Sequence, residues 1–221
     1  MPLDLYLDTA DTSQWDSLMP TGLFGGITTN PLMAHRAGLS YPDIDWTDMA
    51  AHAADLGAKE LHAQVFGAPD SYARWAERFM EAGHKAGLRA VVKVPLVEDA
   101  IRQVPALSAQ GCPILMTACY DAKQMYVACG LGAEVIAPYF GRMLEADLPA
   151  YEMMAQMVAI GSSGTTRILV ASLRSAEQMC KLSEIGCDCF TISPQVGREL
   201  LADPMTEEAY GQFEDVALAA S

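Results

Sequence analysis

Basic residues are scarce in this chain. Fourteen Lys and Arg stand against 28 Asp and Glu, a formal charge of −14 over 221 residues. Binding a nucleic-acid backbone or an anionic bilayer by counterion release needs a basic surface, so this balance argues against both. One small anion needs only one or two local arginines and is compatible with it. No apolar run approaches the roughly 20 residues of a membrane helix. Met1-Pro2-Leu3-Asp4 lacks the basic and apolar stretches of a signal peptide; the expectation is a soluble cytoplasmic protein. Paired ligands are missing too. Cysteines 112, 119, 129, 180, 187 and 189 are scattered, and histidines 35, 52, 62 and 84 show no ligand spacing, so no metal site is expected. No Gly-x-Gly-x-x-Gly follows the first apolar run, against a dinucleotide-binding sheet.

What is present is a repeat of apolar runs and helical segments. The runs are Leu5–Asp8, Gly26–Asn30, Leu61–Val65, Val91–Pro95, Pro113–Thr117, Val135–Tyr139, Ile168–Ser172 and Cys189–Ile192. Helices are expected from Asp11 or Thr12, from Asp45 or Thr47 to Gly57, and from Pro69-Asp70-Ser71 to Gly83 or Gly87. Pro105 divides the next one. Others are capped by Asp121 and end by Gly130, span about Pro149–Ile160, and run from a Ser175/Gln178 capping box to Gly186. Continuous apolar strands buried on both faces are the mark of a parallel sheet. Eight βα units in one domain predict an α/β fold, a (β/α)8 TIM barrel over residues 1–205. Residues 206–221 then read as an additional C-terminal helix and tail, with Phe213, Val216 and Leu218 needing an apolar surface to cover.

Val91-Val92-Lys93-Val94-Pro95 puts one lysine inside an apolar strand. Burial disfavours its ammonium, which leaves two solutions: a structural ion pair, or a lysine whose pKa falls until it is a neutral nucleophile that forms Schiff bases with carbonyls. The other strand ends bear on the choice, because barrel active sites sit at the C-terminal ends of the strands. Those ends carry Asp8, Thr28 with Asn30, Gln64, Lys93, Thr117, Tyr139, and Ser172 with Arg174. Seven strands delivering polar groups to one rim indicate a ligand. In that setting Lys93 captures a carbonyl and Asp8 relays protons. Asn30 bonds hydroxyls, and Tyr139, Thr117 and Gln64 hold a proton-moving water. Ser172, Arg142 and Arg174 stand where barrels bind phosphate. No organic cofactor is required, because an iminium is itself the electron sink.

Leu7-Asp8-Thr9-Ala10-Asp11, Gly26-Ile27-Thr28-Thr29-Asn30-Pro31, Val92-Lys93-Val94-Pro95, Ala137-Pro138-Tyr139-Phe140-Gly141-Arg142 and Ala171-Ser172-Leu173-Arg174 together resemble the transaldolase superfamily. The likeness is to the small subfamily of fructose-6-phosphate aldolases and short transaldolases. The resemblance implies a class I aldolase barrel with Lys93 as the Schiff-base residue, Asp8, Asn30 and Thr117 in the active site, and Arg142 with Ser172 on the phosphate. It also implies a homo-oligomer, a pentamer or decamer, in which the last helix crosses onto a neighbour. Transaldolases of the family typically carry Glu and Phe where this chain has Gln64 and Tyr139, which favours the aldolase. The departures are Leu32 where Ser is common, Cys119 and Asp121 beside the fifth strand, and a second-strand loop with His35, Arg36 and Tyr41. The leading expectation is reversible cleavage of fructose 6-phosphate, or a close ketose, to dihydroxyacetone and glyceraldehyde 3-phosphate. The alternatives are a transaldolase and a non-catalytic sugar-phosphate-binding barrel.

Overall fold

Each expected apolar run is extended because both of its faces are covered, by the barrel interior on one side and by helices on the other. The computed structural model describes residues 3–219. Its strands are β1 (Asp4–Asp8), β2 (Gly26–Thr28), β3 (Glu60–Gln64), β4 (Arg89–Pro95), β5 (Ile114–Cys119), β6 (Val135–Pro138), β7 (Arg167–Ile168) and β8 (Cys189–Ile192). Neighbours pair parallel in the order β7-β6-β5-β4-β3-β2-β1-β8. The ring closes through a bridge between Val170 and Phe190. There the Val170 N–H donates to Cys189 O, and the Thr191 N–H to Val170 O, both at 2.9 Å. The result is a (β/α)8 barrel. The ends of the expected domains at residues 1–2 and 220–221 lie outside the described residues.

Side chains sort by the two-residue period of the strands. Outward residues such as Leu7, Ile27, Leu61, Val92, Met116, Ile136 and Phe190 pack on the helices with Trp15, Phe79 and Phe140. Inward residues Val91, Leu115, Ala137, Leu169, Ala171 and Cys189 form a small apolar plug in the barrel itself. Below this plug, at the N-terminal ends of the strands, charges close the barrel by pairing. Glu60 accepts from Tyr6 Oη at 2.9 Å and Arg89 Nη1 at 3.1 Å, and lies 2.8 Å from His62 Nε2. Arg89 also reaches Glu134, and Arg167 pairs with Asp4 and Asp188.

Helix starts follow their caps. Asp11, Asn30, Asp45, Ser175 and Ser193 each accept a backbone N–H with the side chain. Pro105 does divide its connection, into Glu98–Ile101 and Val104–Ala109. Several expectations are corrected. Short helices Pro31–Arg36 and Phe140–Glu145 begin directly after the second and sixth strands. Asp121 is not the cap of its helix, which runs Gln124–Gly130 behind Lys123; Asp121 Oδ1 instead accepts the Lys123 N–H. The Ser175 capping box is one-sided, since Gln178 Oε1 reaches the N–H of Arg174.

The seventh run pairs regularly only at Arg167–Ile168. It then continues through single bridges at Val170 and Ala171 and turns at Ser172 in the left-handed region, φ 65°. Glycine is required opposite that turn. A Cβ on Gly141 would stand 1.9 Å from Ser172 O.

The final helix, Pro204–Ala219, begins two residues before the expected start and buries none of its residues. No helix among the described residues is long and apolar enough to cross a membrane.

Candidate active site

The inward positions at the C-terminal ends of the strands open into a cavity of about 690 Å³. Lys93, Asp8, Thr28, Asn30, Tyr139, Arg142, Ser172 and Arg174 all line it. Gln64 and Thr117 are not among its lining residues. Thr117 is fully buried behind Tyr139, and Gln64 sits beside Lys93 in the strand register.

Lys93 is 4% exposed. From β4 its side chain spans β3 and donates from Nζ to Thr29 O, on the far side, at 2.8 Å. A neutral carbonyl is its hydrogen-bond partner, so among the described residues nothing at bonding distance cancels the charge. Burial therefore pushes the amine below its ordinary range, opposed only in part by the Asp8 carboxylate. Asp8 is the mirror case: burial pushes its carboxyl up, with Lys93, the Thr28 hydrogen bond and Arg142 pulling down. Thr28 Oγ1 donates to Asp8 Oδ1 at 2.5 Å, and Thr191 Oγ1 lies 2.5 Å from Thr28 Oγ1. Because the one Thr28 proton goes to Asp8, Thr191 is the donor of that second bond. The ensemble is an amine poised towards its free-base form beside a carboxyl poised towards its acid form.

Across the mouth, Tyr139 Oη lies 3.0 Å from Thr117 Oγ1. Burial raises this phenol, against a lowering by Thr117 and Arg142, so it is a proton donor in the free site. The Arg142 guanidinium stands 5.1 Å from the Tyr139 ring centre and donates to Tyr120 Oη at 3.2 Å. It makes no ion pair among the described residues. Arg174 differs: its Nε and Nη2 bind Glu145 Oε1 at 2.9 and 2.8 Å. Arg142 thus keeps its charge available to an anion, whereas Arg174 is already neutralised at the rim. Asn30 spends its Oδ1 on the Met33 N–H at 3.0 Å, which leaves its amide donors for the cavity. Ala118 (φ 58°), next to Thr117, and Ser172 (φ 65°), itself on the cavity wall, hold left-handed conformations. Such strain costs about 1–3 kcal/mol per residue and collects at functional sites. Among the described residues no three His, Cys, Asp or Glu side chains gather as metal ligands.

Sequence reasoning missed Thr191, Ser193 and Glu145, which line the cavity, and named Arg36 only as part of a divergent second-strand loop; it too lines the cavity. Thr191 was within reach, being the last inward residue of β8 by the same alternation that selects Thr28 and Thr117. Arg36 and Glu145 lie on the two short helices that were not expected.

The Lys93 environment can be read by titration. The rate of reductive methylation at Lys93, followed by peptide mass, reaches half its maximum below the ordinary lysine value of 10.5. Asp8→Asn moves the midpoint lower still, since it removes the charge that favours the ammonium. A midpoint at or above 10.5 contradicts this electrostatic picture.

The sequence model of the family described as Transaldolase/Fructose-6-phosphate aldolase matches residues 5–220. The chain is 30% identical over 217 residues to a probable transaldolase of Rhodospirillum centenum, covering 96% of this chain and 89% of that protein. It is 30% identical over 213 residues to a probable transaldolase of Phenylobacterium zucineum, at 96% and 94% coverage. Solved structures more distant in sequence share the fold. A thiamine phosphate pyrophosphorylase from Pyrococcus furiosus superposes with a TM-score of 0.62 at 13% identity, covering 89% of this chain and 91% of that one. A mandelate oxidase superposes with a TM-score of 0.61 at 16% identity; 87% of this chain is covered, but only 65% of the oxidase. With a match that runs from the first strand through the last helix, the chain belongs to the transaldolase/fructose-6-phosphate aldolase family.

Proposed function

We propose that this protein is a Schiff-base aldolase that cleaves fructose 6-phosphate, or a close ketose, reversibly to dihydroxyacetone and glyceraldehyde 3-phosphate. The observation that carries the proposal is Lys93, buried without a carboxylate at bonding distance among the described residues and beside the Asp8 carboxyl, which burial pushes above its ordinary range. The free amine adds to the C2 carbonyl. Asp8 gives a proton to the departing hydroxide, which leaves an iminium. A base removes the C4 hydroxyl proton, the C3–C4 electron pair flows into the iminium, and glyceraldehyde 3-phosphate departs. The enamine on Lys93 then takes a proton at carbon, and water adds to the resulting iminium to release dihydroxyacetone. Asn30 amide donors hold substrate hydroxyls. Arg142, with Ser172, holds the phosphate, and Arg174 serves chiefly through Glu145 as part of the rim.

The fate of the enamine separates the aldolase from the second reading, a transaldolase, which the names of the relatives favour. Support for free release comes from the Tyr139–Thr117 pair. Its phenol can supply the proton that carbon needs, and Gln64 beside Lys93 can orient the water. Wild type is expected to release dihydroxyacetone from fructose 6-phosphate without any acceptor. Tyr139→Phe lowers that release by on the order of 10²–10⁴, while transfer to erythrose 4-phosphate falls less. A wild type that transfers efficiently and releases nothing is a transaldolase.

The proposed enzyme is cytoplasmic and a homo-oligomer, pentamer or decamer, in which the last helix packs on a second copy. That helix exposes Met205, Tyr210, Phe213, Val216 and Leu218, with Phe213 70% exposed, and its own barrel covers none of them. Sedimentation of the full chain and of a chain ending at Asp203 tests this. The truncated chain falls to a smaller assembly; an unchanged assembly shows that the helix builds no interface.

A further inference from the structure

Strand β2 stops pairing with β3 at Thr28↔His62. One more bond follows, from the Thr29 N–H to His62 O at 2.9 Å, after which Asn30 caps the helix Pro31–Arg36 and the chain leaves the sheet. In a parallel strand, alternate residues direct both N–H and C=O to the same neighbour. His62 O faces β2, so the N–H and C=O of Gln64 face that side as well. Val65 serves the other side, donating to Lys93 O at 3.0 Å. Gln64 therefore reaches towards a strand that has already turned away. Leaving both groups unmet would cost about 1–3 kcal/mol each.

The Tyr41 hydroxyl occupies the missing place. It accepts the Gln64 N–H at 2.8 Å and donates to Gln64 O at 2.7 Å. One oxygen thus does for Gln64 what two residues of a continued β2, the Thr29 carbonyl and an N–H at position 31, would have done; Pro31 has no N–H to give. The ring is held firmly, 5% exposed, with Trp46 edge-on at 5.5 Å and Phe66 at 5.3 Å. Gln64 in turn is the register partner of Lys93.

We infer that Tyr41 is a positioning residue: its hydroxyl replaces the backbone partners that a continued strand β2 would offer, fixes the Gln64 backbone, and so sets where the Gln64 amide stands beside Lys93. The inference rests on the role proposed for Gln64 in releasing the enamine. It assigns to the second-strand loop, which also brings Arg36 to the cavity, control over how the intermediate is partitioned.

The test is a double-mutant cycle read on the ratio of free dihydroxyacetone release to transfer. Tyr41→Phe keeps the ring and removes both bonds. It lowers the ratio by about tenfold or more, the scale expected for a small displacement of a positioning group, while borohydride still traps dihydroxyacetone on Lys93. Gln64→Ala gives a similar fall, and Tyr41→Phe added to it lowers the ratio no further. An unchanged ratio in Tyr41→Phe, or effects that multiply in the double variant, overturns the inference. If wild type only transfers, the aldolase reading fails by itself. The same cycle is then read on kcat for transfer, where non-additivity supports the role of Tyr41 and additivity overturns it. If Tyr41→Phe does not fold, Phe66→Leu loosens the ring and keeps the hydroxyl; it must shift the ratio the same way, and no shift refutes the role.

Discussion

The structure turns on a lysine buried opposite a neutral carbonyl. Lys93 donates to Thr29 O rather than to a carboxylate, so burial pushes its amine below the ordinary range, opposed in part by Asp8. Several other features depend on this. β2 has to end early enough to turn the Thr29 carbonyl towards Lys93. Asp8 has to be near enough to sense the charge without neutralising it, and its own hydrogen bond to Thr28 keeps it in place. The apolar plug formed by Val91, Leu115, Ala137 and Leu169 lies beneath, within the barrel.

The two ends of the barrel treat charge in opposite ways. At the N-terminal end Arg89 and Arg167 are each shared between two carboxylates. Burial raises the Glu60 carboxyl, but the bonds from His62, Tyr6 and Arg89 outweigh it and hold the group at about 2. That end is a structural closure in which the charges are paired. At the C-terminal end the pairing is left incomplete. Among the described residues Arg142 meets a phenol and a ring face and no carboxylate partner, and the pKa shifts of the amine and the carboxyl both run towards their neutral forms. In an acidic chain, this leaves the Arg142 charge available at the cavity.

Much of this was legible in the sequence, for physical reasons. Apolar runs covered on both faces reveal parallel strands, and two-residue alternation identifies Asp8, Thr28, Lys93 and Tyr139 as inward-facing at the rim. The seventh strand was overestimated because Leu169-Val170-Ala171 is as apolar as any strand, and nothing local announces that Ser172 turns left-handed against Gly141. The helix after Asn30 did carry its signals, an Asn cap and Pro31 at the first position, but it is only six residues long. Pairings between distant segments left no local trace. Nothing in the sequence near Arg174 shows that Glu145 will neutralise it, or that Tyr41 will complete the backbone of Gln64.

The central claim is that Lys93 carries the covalent intermediate. It is tested most directly by borohydride reduction in the presence of dihydroxyacetone, followed by peptide mass mapping. The account predicts one reduced adduct, on the peptide containing Lys93, and no adduct in Lys93→Met, which keeps its fold. An unmodified Lys93 in protein that still turns over the ketose, or an adduct on another lysine that accompanies activity, would contradict it.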